Sequence, residues 1–222
     1  MYGILRRMDR WLSDHRPDVQ DALGPPATDE DLDELLAGLR ENGFPEARLP
    51  ADLRAFLKWH TGLKEGCDFA STGFFSRRNP MQLDWIVQSH GIMLSRLPEE
   101  QRGFFNPAWV PVFDNSYSLL CVDALGTRGH KPGQVVFVDF KGGESRRIVA
   151  PDLNRWMRFF HNVLEHPEGR RYYLERDPEL MDALWPATYE IESRLLREVC
   201  PGYPIERTVY EPNRARPSPS GR

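Results

Sequence analysis

The sequence predicts an α+β fold, an antiparallel sheet of about four to six strands packed by helices, with a helical C-terminal appendage. Three observations carry this. Apolar residues fall at helical spacing in separate segments between Thr28 and Leu94, the period shortens to β-type runs after Phe104, and helical spacing returns after Asp152. The boundaries that follow are an N-terminal helix and linker over 1–27, a main α+β domain over 28–169, a helical appendage over 170–209 and a disordered tail over 210–222.

The N-terminal stretch MYGILRRMDRWLSDH is followed by polar chain that ends at Gly24-Pro25-Pro26, a turn-rich stop. The first firmly signalled helix opens at Thr28. Asp31 three residues on completes a capping-box pattern, Asp29, Glu30 and Asp31 suit the positive helix start, and Leu32, Leu35, Leu36 and Leu39 form one face before Gly43. A second helix, LPADLRAFLKWHTG, begins at Pro50, where a missing N–H costs little, and runs to Gly62. Residues 63–80 lack a period and suggest irregular chain or a short strand; a third helix spans about Met81 to Leu94, with Trp85, Ile86 and Leu94 as its apolar candidates.

Trp109–Phe113, Tyr117–Val122 and Gln134–Phe140 are short apolar runs rich in β-branched and aromatic residues, separated by Asn, Gly and Pro, which marks them as strands. Lys141-Gly142-Gly143-Glu144 is a turn leading back into Ser145–Val149 as a hairpin. Asp152 then caps a helix carrying Leu153, Trp156, Met157, Phe160 and Leu164. Asp177-Pro178-Glu179 starts the last helix, marked by Ile191, Leu195, Leu196 and Val199 and stopped at Pro201-Gly202.

Composition narrows the function. The 222 residues carry 29 Lys and Arg against 33 Asp and Glu, a net charge of −4 with the signs interspersed, so no basic footprint for nucleic acid or membrane is present. The three cysteines, Cys67, Cys121 and Cys200, are odd in number and far apart, which fits neither a disulfide framework nor a CxxC site. With no apolar leader in the N-terminal segment and no spanning run, a cytoplasmic protein with reduced thiols is expected.

Catalytic constellations are absent from the pattern. His60 is expected to meet helix-end carbonyls rather than act as a base, and His161 and His166 lack metal-site spacing. The glycine-rich run Gly126–Gly133 leads into a strand, not the helix a phosphate loop needs. Asp114, Asp123 and Asp139 at strand ends are expected in turn hydrogen bonds rather than around a cation, and Cys121 reads as a core residue. The expectation is no enzyme, no catalytic residue, no metal and no cofactor. Partner binding is placed instead on the aromatic and polar residues of the least periodic segments: Trp59, Phe74, Phe75, Asp114, Asn115 and Tyr117. The acidic run from Asp29 to Glu34 is a solvated helix start first and a docking surface for a basic partner second.

The order of these pieces resembles the SUKH superfamily, which includes the Smi/Knr cell-wall regulators of fungi. The likeness rests on Leu49, Pro50, Phe56 and Leu57 in the second helix, the strands holding Trp109 with Pro111 and Cys121 with Asp123, the Gly133-Gln134-Val135 strand, and Ala150, Leu153, Trp156 and Met157. It covers about residues 28 to 169. Asp114-Asn115-Ser116-Tyr117 replaces a glycine-rich turn common in the family, and residues 170–222 have no counterpart. The resemblance implies a protein that works by binding. For bacterial relatives that role is immunity, neutralising a cognate protein toxin such as a nuclease or deaminase; the alternative is a Smi/Knr-like regulatory or scaffold protein.

Overall fold

The computed structural model describes residues 1–64, 67, 75, 77–95, 105–115, 117–126, 131–139, 146–175 and 177–204. Five strands pair in simple chain order: β1 (Asn79–Pro80), β2 (Trp109–Asp114), β3 (Ser118–Asp123), β4 (Val135–Asp139) and β5 (Arg146–Ala150), all neighbours antiparallel. Pro111 cannot donate to a ladder, and the register of β2 against β3 shifts just after it. Phe113, Leu120, Phe137 and Arg147 are successive cross-strand partners, so they share one face of the sheet.

The N-terminal residues belong to the same core. Helix α1 (Tyr2–His15) buries Ile4, Leu5, Met8, Trp11 and Leu12, a helical stripe. Helix α2 (Pro17–Ala22) follows, with proline in its first turn. Residues 17–27, read as a linker from their polarity, bury Val19, Ala22, Leu23 and Ala27 and bond to the chain around Gly62: Gly24 N–H donates to the Gly62 carbonyl at 2.7 Å and Thr61 N–H to the Pro25 carbonyl at 2.9 Å. Gly62 has φ +89, and a Cβ there would stand 2.4 Å from the Met81 backbone, so only glycine permits this approach.

Helix α3 (Asp29–Glu41) has the expected capping box in both directions: Asp31 N–H donates to Thr28 Oγ1 at 3.1 Å and Thr28 N–H to Asp31 Oδ2 at 2.8 Å. It ends in a Schellman motif at Gly43, with Phe44 N–H reaching the Leu39 carbonyl at 3.0 Å. Helix α4 (Ala51–Leu57) is shorter than its sequence suggests, with Pro50 as N-cap and Trp59 and His60 already beyond its end. Helix α5 (Leu83–Ser95) starts two residues after Met81, whose N–H donates to the Val112 carbonyl beside β1.

Helix α6 (Leu153–Glu165) is capped by Asp152, which accepts from Arg155 N–H at 2.7 Å, and buries Leu153, Trp156, Met157, Phe159, Phe160, Val163 and Leu164. Its aromatic face meets the sheet: Trp156 lies 4.8 Å from Phe113, ring centre to ring centre. Helix α7 (Pro167–Leu174), which no apolar period announces, comes close to the end of α6 at Gly169, where a Cβ would meet the Val163 carbonyl at 2.1 Å. Its Tyr173 packs edge-on to Phe160. Helix α8 (Pro178–Val199) begins at the Asp177 cap, packs on α6 and α7, and is followed by the chain reversal at Pro201-Gly202. The expected turn at 141–144 and tail at 210–222 lie outside the described residues. Among the described residues no helix is long and apolar enough to cross a membrane.

Candidate functional site: an acidic groove beside Trp85

Two shallow depressions, about 300 and 400 Å³, share Leu63, Lys64, Gln82 and Asp84 and so form one continuous groove. Its floor is set by the close approach at Gly62 and by Gln82, whose side-chain amide donates to the Leu63 carbonyl. Among the described residues three carboxylates line it: Asp31 at the start of α3, Asp84 at the start of α5 and Asp114 at the end of β2. Lys64 is the cation among the described lining residues, and its ammonium donates to the Asp21 carbonyl. Asp31 stays ionised because the backbone N–H and then the hydroxyl of Thr28 bond its carboxylate, holding it below the usual range.

Trp85 stands at one end of the groove, 40% exposed, its indole N–H donating to Asp114 Oδ2 at 2.7 Å. That bond fixes the ring's orientation while leaving much of it in water. A rigid, half-exposed tryptophan flanked by acids is the kind of group that anchors a protein interface. Helical spacing places Trp85 among the apolar residues of α5, which hides this role; the signal in the sequence is Asp84 and Trp85 together in the first turn of a helix, where the ring lies beyond the buried stripe of Ile86, Ser89, His90 and Met93.

The residues expected to bind a partner scatter. Asp114 lies in the groove. Asn115 is spent on the β2–β3 turn, its Oδ1 accepting from the Tyr117 and Ser118 N–H groups at 3.2 and 2.9 Å. Tyr117 is 51% exposed beside it. Phe75 is 0% exposed, a core ring with Phe160 and Phe113 at 5.2 and 5.4 Å. Trp59 is also committed inward, packing on Phe56 and donating its indole N–H to Asp9 Oδ1 at 2.7 Å, which ties α1 to the end of α4. Phe74 lies outside the described residues.

His60 Nδ1 lies 2.6 Å from the Gly24 carbonyl, a contact that holds the 24–27 segment. Asp123 accepts from Leu125 and Gly126 N–H, the turn role expected of a strand-end aspartate. Cys121 is fully buried, and burial pushes its thiol well above the ordinary range, away from the thiolate a nucleophile needs. Among the described residues no cluster of three metal-ligating side chains occurs.

The scaffold that presents the groove has relatives. Residues 26–158 match the SMI1 / KNR4 family (SUKH-1). The chain belongs to that family. This SUKH-1 member is also similar to a glucan synthesis regulatory protein of Neurospora crassa, 25% identical over an alignment 218 positions long that covers 77% of this chain and 39% of that protein. The chain therefore spans about two fifths of the length of that curated relative. The matched stretch contains α3, α5 and the sheet, and thus all three groove carboxylates and Trp85; α7 and α8 lie beyond it.

Proposed function

We propose that this SUKH-1 protein acts without catalysis, as an immunity protein that binds a basic bacterial toxin through the acidic groove and so covers the toxin's working surface. The observation that carries the reading is Trp85, half exposed and held by Asp114 in a groove with three carboxylates. Acids around an aromatic anchor supply both halves of such an interface. The charges speed encounter with a cationic partner and the ring supplies desolvated contact. A net charge of −4 adds to the same attraction.

Affinity capture of the tagged chain from its source cells, with mass spectrometry of what co-purifies, tests this. One stoichiometric partner with a basic toxin domain supports immunity, and its release as salt rises supports the electrostatic part. A second reading, a regulator with several cellular partners, draws on the likeness to the Neurospora protein. Recovery of several substoichiometric partners and no toxin favours it.

A further inference from the structure

A second concavity, a cleft of about 760 Å³, lies between the sheet and α8. Its floor is the Leu120–Phe137–Arg147 row of the sheet, which Trp156 and Phe159 of α6 wall on one side. Its roof is Trp185, Tyr189 and Arg197 of α8, closed at the end by Tyr203. The size falls within the range of small-molecule sites, and aromatic walls are typical of them.

Its charge runs against that of the whole chain. Arg77, Arg78, Arg147 and Arg197 line it, with Glu192 as the one lining carboxylate among the described residues. Two of the four are engaged: Arg77 pairs with Asp182 at 3.4 Å over the Trp185 ring, and Arg78 donates to Ser118 Oγ at 3.2 Å. Burial, opposed by the charge of Glu192 and reinforced by Arg147, brings Arg78 down to about 10. Glu192 itself accepts from the Tyr173 hydroxyl at 2.6 Å.

Arg147 is different. Its guanidinium stands 5.0 Å from the centre of the Phe137 ring, which Arg78 approaches at 5.1 Å, so two cations share one aromatic. Its Nε is buried with no hydrogen-bond acceptor, and neither Arg147 nor Arg197 has a carboxylate within ion-pair reach among the described residues. A buried donor without an acceptor, next to a second cation, is an arrangement that an incoming anion completes.

We propose that this cleft binds a small aromatic anion of about mononucleotide size, its phosphate, sulfonate or carboxylate group on Arg147 and Arg197 and its ring against Trp185 and Tyr189. The planar guanidinium fork accepts all three anions in the same way, and the roof offers a tryptophan and a half-exposed tyrosine 5.9 Å apart for stacking. The floor with Arg147 lies within the family-matched stretch, whereas the α8 roof with Trp185, Tyr189 and Arg197 lies beyond it. It is separate from the acidic groove and does not depend on the partner proposed for it.

The test titrates the full chain with adenosine monophosphate by calorimetry and with 1-anilinonaphthalene-8-sulfonate by fluorescence, with adenosine as the uncharged control. The expected result is 1:1 binding of at least one anion, about tenfold or more weaker in Arg147→Met and in Arg197→Met, with adenosine weaker than its phosphate by a similar factor. Arg197 lies on α8, outside the sheet, so its variant reports even where Arg147→Met disturbs β5. Loss of binding in either folded variant supports the site. No binding of either anion at about 1 mM, or binding unchanged in both variants, overturns it.

Discussion

The groove beside Trp85 and the cleft under α8 are both aromatic, yet one is lined by three carboxylates and the other by four arginines. The groove is shallow and the indole of its tryptophan is held at the surface by a hydrogen bond to Asp114. In the cleft, charges are stacked on rings and partly withdrawn from water. A net charge of −4 hides this division, because overall charge averages two surfaces of opposite sign. Surface signs must therefore be read patch by patch before a partner is inferred.

Aromatics of the core and of the groove should respond oppositely to the same truncation. Phe75→Ala should cost about 3–5 kcal/mol of stability, since it empties a site enclosed by Phe113 and Phe160, while leaving groove affinity intact in whatever protein remains folded. Denaturant melts read the first effect; partner titration reads the second. Trp85→Ala should do the opposite, weakening the partner complex by about 2 kcal/mol or more, roughly 30-fold, with little change in the melt. Asp114→Asn keeps an acceptor for Trp85 but removes a charge, so a loss of about 1 kcal/mol or less that fades as salt rises is expected from association rates.

A smaller effect concerns pH. His90 is buried, its Nε2 2.8 Å from the Pro107 carbonyl, and burial lowers its pKa below the ordinary histidine value. Below about pH 6.5 the unfolded chain then takes up a proton that the folded chain resists. Stability is fully present above that pH and declines as pH falls toward the depressed folded value. His161 is shifted the same way by burial and adds to the decline, so His90→Gln should flatten it in part; an unchanged pH profile contradicts this assignment.

Much of the fold is legible in the sequence because its signals are local. Thr28 with Asp31, Asp152 before a helical stripe, Asp177-Pro178 and the β-branched runs from Trp109 to Val149 each find the expected element. What escaped was set by tertiary contact. Residues 17–27 look like a linker until the backbone bonds to residues 57–64 appear, and α7 carries no apolar period because Tyr172 and Tyr173 bury side by side against different neighbours. The site was less legible. Asp114 ends a strand that its own apolar run announces, whereas the exposure of Trp85 and the burial of Phe75 are set by tertiary packing, which spacing does not record.

The most direct test measures the affinity of the captured partner for the wild-type chain, Trp85→Ala and Arg147→Met side by side. The acidic groove as partner site predicts roughly 30-fold weaker binding in Trp85→Ala and none of that loss in Arg147→Met. Full affinity in a folded Trp85→Ala, with the loss appearing in Arg147→Met, would contradict it and move the partner to the cleft under α8.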